Sequence, residues 1–258
     1  LNEIIEKFFE SLKSAPRRLL LLDYDGTLAP FVVERDRAVP YPGIEIRLDR
    51  LIDSLRTDVI IISGRAINDL MPLLKLEKFP EIWGSHGWES LAPDGRYTLK
   101  PFETEELAGL TDAREYVYKS RLESHLEEKP VSLAIHVRGL DDGKTLDVMR
   151  KIKLYWDKIA KDSHLLCDEF DGGIELKVPG FNKGHVVKEI LNRFPTPPPA
   201  AYLGDDTTDE DAFRALAGKA LRVLVKSHET QSAADTRIVP PDELLEFLDR
   251  WIEIENDY

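Results

Sequence analysis

Leu20-Leu21-Leu22-Asp23-Tyr24-Asp25-Gly26-Thr27-Leu28 decides the fold. An apolar run closes on two carboxylates spaced i, i+2 and then on a glycine turn. Strands buried in a parallel sheet read as continuous apolar runs, without alternation. Working outward, residues 59–62 and 221–225 have the same character, as does the shorter pair Tyr202 and Leu203 before a glycine. Between these runs the spacing is helical: residues 44–55 are apolar at 44, 48, 51, 52 and 55, and residues 186–191 at 186, 187, 190 and 191. Strand–helix alternation predicts an α/β sheet with right-handed crossovers.

The middle of the chain follows another rule. Val131, Leu133, Ile135 and Val137 alternate with Ser132, Ala134, His136 and Arg138. Ile174, Leu176 and Val178 alternate with Glu175 and Lys177. Alternation means one buried and one wet face, as in an antiparallel sheet. A helical stretch at 145–159 separates the two strands. The expected organisation is a discontinuous core (1–96 and 181–258) interrupted by an α+β insert at 97–180. The proline run at 195–199 reads as a stiff spacer, and a final surface helix is expected from Glu243, with Leu244, Leu245, Leu248, Trp251 and Ile252 inward.

Composition narrows the partners. The 258 residues include 35 Lys plus Arg against 48 Asp plus Glu, a formal charge of −13. That balance disfavours nucleic acid and anionic membranes as partners. At 42% apolar residues the chain has material for a real core, and no apolar run approaches the ~20 residues of a membrane span. A single cysteine, Cys167, cannot form an internal disulfide. The first 18 residues lack the basic start and apolar run of a signal peptide. Together these predict a reducing, cytoplasmic setting. The chain opens on Leu1, which leaves its natural start open.

Ligands of an open α/β sheet bind beyond the carboxyl ends of its strands. Asp23 and Asp25 stand there. Read alone they fit a capped turn as well as a cation site. A second acidic strand end, Gly204-Asp205-Asp206-Thr207-Thr208-Asp209-Glu210-Asp211, shifts the balance. A helix N-terminus accounts for Asp209, Glu210 and Asp211 but less well for Asp205 and Asp206. Two acidic strand ends in one sheet can converge on one cation, and oxygen ligands favour Mg²⁺. Ser63-Gly64-Arg65 offers a hydroxyl and a backbone turn suited to a phosphate. Lys183, in Phe181-Asn182-Lys183-Gly184-His185, opposes the dipole of the helix it starts, a cost that a facing anion offsets.

In this order the four segments resemble the four motifs of the haloacid dehalogenase superfamily: Asp23-x-Asp25-Gly26-Thr27, Ser63, Lys183, and Gly204-Asp205-Asp206-Thr207-Thr208-Asp209. More narrowly, the chain resembles the trehalose-6-phosphate phosphatases. Gly84-Ser85-His86-Gly87-Trp88-Glu89, His136-Val137-Arg138, Ile174-Glu175-Leu176-Lys177 and the Gly-Asp-Asp-x-Thr-Asp-Glu form of the fourth motif carry that likeness. One departure is Val178, which stands before Pro179 where the family often has proline directly after the basic residue.

The resemblance implies a Rossmann-like parallel-sheet core with an inserted C2-type α+β cap. It implies hydrolysis of trehalose 6-phosphate to trehalose and phosphate through an aspartyl-phosphate. Asp23 is then the nucleophile and Asp25 the general acid/base, with Lys183 and Ser63 assisting. Gly26, Thr27 and Arg65 meet the phosphate, His86 and Glu89 stand at the rim, and His136, Arg138, Glu175 and Lys177 read the sugar. Without the likeness, those four fit a solvated sheet face with cross-strand ion pairs. Mg²⁺ falls to Asp23, the Asp25 carbonyl and Asp205, with Asp206 and Asp209 as further candidates. A monomer acting on a small sugar phosphate, in functional association with a trehalose-phosphate synthase, is expected. The alternatives are a phosphatase for mannosylglycerate- or sucrose-phosphate, a phosphomutase, and a non-catalytic sugar-phosphate-binding regulatory module.

Overall fold

The computed structural model describes residues 2–32, 34–54, 56–170 and 172–256, with the backbone alone at 35, 142 and 256. Leu55, expected at the end of a helix, lies outside the described residues. The chain divides into two compact units, 1–99 with 181–258, and 100–180.

In the first unit, α1 (Glu3–Lys13) starts at Asn2, whose side chain accepts from the Ile5 N–H, and buries Ile5, Phe9 and Leu12. β1 (Arg18–Leu22) is buried along its whole length. Then come α2 (Ile44–Asp53), β2 (Thr57–Ile62), α3 (Ile67–Leu70), β3 (Glu81–Gly84), β4 (Glu89–Leu91) and β5 (Tyr97–Leu99). After the insert, α6 (Lys183–Leu191), β10 (Ala200–Gly204), α7 (Asp209–Ala215), β11 (Leu221–Val225), β12 (Thr236–Ile238) and α8 (Asp242–Asn256) complete it.

The strands form one sheet in the order β12-β11-β10-β1-β2-β3-β4-β5, parallel from β12 to β3 and antiparallel beyond. β1 is central, with Leu20 opposite Val59 on one side and Ala201 on the other. Leu20 and Leu22 pack with Leu48, Phe247 and Trp251, while Leu19 and Leu21 pack with Ile60, Val187 and Phe213. Both faces of β1 are therefore core, which is why its sequence shows no alternation. β3, β4, β5 and β12 extend the sheet beyond the strands expected from the sequence, and the insert, expected from 97, begins at 100, since Tyr97–Leu99 pair with β4 and belong to the first unit.

At the opposite end of β1, Arg18 is fully buried. Its Nε donates to the Leu12 carbonyl (3.0 Å) and its Nη1 to Glu255 of α8 (2.5 Å). Glu255 also accepts from the Ser54 and Thr57 hydroxyls, and these partners hold its carboxyl below the ordinary range despite burial. Glu255→Ala leaves the Arg18 charge buried without a counter-ion, so about 3 kcal/mol of stability should be lost in urea unfolding. The loss belongs to neutral pH. A depressed carboxyl contributes its stability above its unfolded pKa, and that contribution disappears as pH falls through the folded value. A parent and variant of equal stability at neutral pH would remove this clasp from the account.

The second unit holds α4 (Thr104–Lys119), β6 (Leu126–Lys129), β7 (Ser132–His136), α5 (Asp142–Asp162), β8 (Leu166–Phe170) and β9 (Gly173–Lys177). A capping box between Glu103 and Glu106 starts α4. The sheet order is β6-β7-β9-β8, antiparallel throughout, with α4 packed on β7 and α5 on β8 and β9. Leu133, Ile135, Ile174 and Leu176 are buried, so the alternation read in the sequence corresponds to a one-sided sheet. Among the described residues, no helix is long and apolar enough to cross a membrane.

Candidate active site

The carboxyl ends of β1, β2 and β10 and the start of α6 assemble one cluster of polar side chains. Asp23 follows β1 and is fixed by its N–H, which donates to the Leu203 carbonyl (2.9 Å). Lys183, in the first turn of α6, donates from Nζ to Asp23 Oδ1 (2.6 Å) and Asp209 Oδ1 (2.8 Å). The Tyr202 hydroxyl of β10 also donates to Asp209 Oδ1, and the N–H groups of Asp205 and Asp206 donate to Asp209 Oδ2 (3.0 and 3.1 Å). With four donors, Asp209 has filled its acceptor capacity. It organises the cluster. Asp206 Oδ1 similarly accepts from the N–H and hydroxyl of Thr208 (2.8 and 2.7 Å), shaping the turn into α7.

Asp205 differs. It is buried, and its Oδ1 has no hydrogen-bond partner among the described residues. A carboxylate oxygen in that position calls for a cation. Gly26, at φ +81°, makes room for it, since a Cβ there would fall 2.3 Å from Asp205 Cγ. Carboxylate oxygens of Asp23, Asp205 and Asp209 lie within 4.8 Å of one another. Asp209 already accepts four hydrogen bonds, so within this group Asp23 and Asp205 have acceptor capacity to spare for a hard divalent ion.

The electrostatics agree. Burial, then the Asp209 charge, holds the Asp23 carboxyl well above the ordinary range against the opposing pull of Lys183. Burial, then Asp206 and Asp209, pushes Asp205 up to about 8. Burial also raises Asp209, and burial opposes the charge on Lys183, but Asp209 and Asp23 raise its pKa overall. Burial works against the Asp206 charge too, yet Lys183 and the Thr208 donors hold its carboxyl low. Three buried carboxylates around one ammonium leave an excess of negative charge that a bound cation relieves.

Asp25 faces another way. Arg65 clasps it with two parallel bonds, Nε to Oδ2 (2.7 Å) and Nη2 to Oδ1 (2.6 Å). Ser63 is fully buried, and its hydroxyl oxygen accepts from the Arg65 N–H (3.1 Å). Thr27, also buried, directs its hydroxyl to Asp23 Oδ2 at 3.4 Å. Ser85, His86 and Gly87 all have positive φ (47°, 57° and 108°). Their loop lies on the second motif, with the His86 N–H donating to the Ser63 carbonyl (3.0 Å) and the Ser85 N–H to that of Arg65 (2.7 Å). Glu89 sustains this strained turn: its Oε2 accepts from the Ser85 hydroxyl (2.8 Å) and the Ile67 N–H (3.1 Å), its Oε1 from the Tyr97 hydroxyl (3.1 Å).

In the insert, the register Glu127↔Ala134↔Glu175↔Asp168 places one polar row across the open face of the sheet, and Lys129↔Ser132↔Lys177 a second. Glu175 Oε1 accepts from the Ser132 hydroxyl (2.9 Å) and Lys129 Nζ (3.3 Å). His136 Nε2 meets Glu127 at 2.8 Å, and Lys177 pairs with Asp168 at 2.9 Å. Arg138 lies past the end of β7, along Gly172.

A sequence model of the family described as trehalose-phosphatase matches residues 21–239, from the first motif to beyond β12. The chain belongs to the trehalose-phosphatase family. It is 28% identical over 251 residues to a trehalose-phosphate phosphatase of Mycobacterium marinum, covering 92% of this chain and 62% of that relative. It is 26% identical over 269 residues to the probable trehalose-phosphate phosphatase H of Arabidopsis thaliana, covering 94% of this chain and 74% of that one. The chain thus spans about two thirds of the length of these relatives. Its fold matches that of the C-terminal domain of the C. albicans trehalose-6-phosphate phosphatase with a TM-score of 0.78 at 24% identity, covering 98% of this chain and 97% of that one.

Of the site residues expected in this trehalose-phosphatase family member, the fold brings Asp23, Lys183, Asp205, Asp206 and Asp209 together, with Gly26, Thr27 and Ser63 beside them. It also places His136, Glu175 and Lys177 on one sheet face. Three expectations change. Glu89 is buried (1% exposed) with both carboxylate oxygens engaged, so it shapes the Ser85–Gly87 turn and presents nothing at a rim. Asp209 already accepts four hydrogen bonds, so a cation would have to compete for it, although one of its oxygens lies within 4.8 Å of those of Asp23 and Asp205. Arg65 is turned to Asp25, so a phosphate would have to compete for it. Glu127, Lys129, Ser132 and Tyr202 were not foreseen. Neither was Lys226, whose Nζ donates to the Asp205 carbonyl (3.0 Å). Lys226 follows directly on a legible strand, the position at which a strand-end residue could have been sought.

Proposed function

We propose that this chain is a Mg²⁺-dependent phosphatase that hydrolyses trehalose 6-phosphate to trehalose and inorganic phosphate through an aspartyl-phosphate on Asp23. The observation carrying this reading is the buried Asp205 oxygen without a partner, beside an Asp23 held by Lys183. A magnesium ion held by Asp23, Asp205 and the Asp25 carbonyl would neutralise the dianionic ester and polarise its phosphorus. The rest falls to the chain itself. Asp23 attacks phosphorus, and the bond from phosphorus to the sugar oxygen breaks. Asp25, once released from Arg65 and protonated from water, gives that proton to the leaving oxygen. Water then attacks the acyl-phosphate and gives a proton to Asp25, freeing phosphate and Asp23. Lys183 keeps the Asp23 carboxylate oriented and Ser63 donates to a phosphoryl oxygen, whereas the Gly26 and Thr27 N–H groups, expected to do the same, donate to the Ala29 and Tyr24 carbonyls (2.7 and 3.3 Å) and hold their own turn.

The insert acts as the cap, and Glu175, Lys129, Lys177, His136 and Glu127 read the hydroxyls of the disaccharide. The lone, half-buried Cys167 fits a reducing cytoplasm.

Phosphate release from equal concentrations of trehalose-, sucrose- and mannosylglycerate-phosphate, with and without chelator, tests the reading. Trehalose 6-phosphate should be hydrolysed fastest, chelator should stop release and Mg²⁺ should restore it. Preference for another sugar phosphate rejects the substrate, and an isomer in place of free phosphate makes the protein a mutase. Glu175→Ala should raise KM for trehalose 6-phosphate roughly tenfold or more, the loss of a charged hydrogen-bond partner, and affect a small aryl phosphate far less. Equal losses on both would take the insert out of specificity.

A further inference from the structure

Two large apolar side chains, Leu166 and Phe170, stand exposed at the two ends of β8 on the open face of the insert's sheet. Phe170 ends β8, and 39% of it is exposed. The register Phe170↔Gly173↔His136 puts it in the row next to Asp168, Glu175, Ala134 and Glu127, on the same face.

An exposed phenylalanine alone needs no explanation. The orientation of this ring does. Gly173 has no side chain, and a Cβ there would come 2.5 Å from Phe170 Cζ, so the ring fills the space over residue 173 and lies along the sheet. His136 meets it edge-on, with ring centroids 5.4 Å apart and planes at 66°. His136 is itself held by Glu127 at 2.8 Å. The ring is therefore set in place from two sides, beside a row of carboxylates and ammonium groups.

A pyranose carries hydroxyls around its edge and an apolar C–H face. The charged rows supply partners for the hydroxyls, and the remaining need is a flat apolar surface of one ring's size. We infer that Phe170 is the platform on which one glucose ring of the substrate stacks, making it a specificity-determining residue for a pyranoside phosphate over an acyclic one. This inference rests on the phosphatase reading above.

The test compares KM and kcat for trehalose 6-phosphate and glycerol 2-phosphate in the parent, Phe170→Ala, Phe170→Leu and Phe170→Trp. The ratio of the two KM values should move about five- to tenfold against the disaccharide in both the Ala and the Leu variants, the scale of one aromatic contact, and return in the Trp variant. Leucine keeps the apolar volume but not the flat face, so a side chain that merely packs would tolerate it. A KM ratio within about twofold of the parent in Phe170→Ala, or a leucine variant equal to the parent, overturns the platform. If the parent prefers trehalose 6-phosphate and Phe170→Ala keeps that preference, the platform alone falls. If the parent itself has no preference for it over glycerol 2-phosphate, the substrate reading falls and the platform with it.

Discussion

Asp23→Asn should lose phosphate release by about four orders of magnitude or more while melting no lower than the parent. The two halves of that expectation have one cause. Asp23 is buried against Asp209 and Asp205, and its carboxyl is held well above the ordinary range. A carboxyl raised in the folded state favours folding when protonated. That stability is present below the unfolded pKa and is lost as pH rises through the folded value. At neutral pH the ionised nucleophile is thus a strain on the fold, and asparagine removes it while keeping the shape. Sites that need a reactive charge commonly trade stability for it. Phosphate release and thermal melting on the same preparation check both halves. Retained turnover would exclude Asp23 as nucleophile, and a large fall in melting temperature would show that its charge supports the fold.

Lys183→Met should fail in both respects. The Lys183 ammonium is the group that touches both Asp23 and Asp209, and all three side chains are almost wholly buried. Removing one partner of a buried ion pair leaves uncompensated charge, at a cost of about 3 kcal/mol or more. Phosphate release should also fall, by roughly a thousandfold, because Asp23 loses its ammonium partner and the incoming dianion one of its counter-charges. Urea unfolding of Lys183→Met and of the double variant with Asp23→Asn separates the effects. The double variant should regain part of the lost stability, since one of the two stranded carboxylates is gone. A Lys183→Met protein as stable as the parent would contradict the buried charge network.

Residue type and period carried much of the architecture. The runs at 19–22, 59–62 and 221–225 fall on β1, β2 and β11, and the two alternating segments fall on β7 and β9. Whether their wet faces coincide was not legible. That depends on Ala134 pairing with Glu175, and register arises from the packed sheet. The Leu-Glu-Glu-Lys of β6 gives no pattern to read, so Glu127 and Lys129 stayed hidden. Glu89 shows the converse limit. Its sequence position was found, but a carboxylate near a site can face the ligand or brace a turn, and the Tyr97 hydroxyl decides for the turn. Asp209 is similar: an aspartate in the right motif, whose engagement by Lys183, Tyr202 and two backbone donors only the packed structure shows.

The place of β1 in the sheet has a consequence for the newborn chain. Leu19 pairs with Asp58 on one side, available early in synthesis, but with Ala200 on the other. That edge stays bare on the ribosome until the stretch around residue 200 has emerged, and Lys183 arrives only shortly before it. The insert, by contrast, has all its strands and helices in one uninterrupted stretch and can close its own sheet while the core waits. An aggregation-prone strand edge held open for that interval makes the half-made protein a natural client for chaperones.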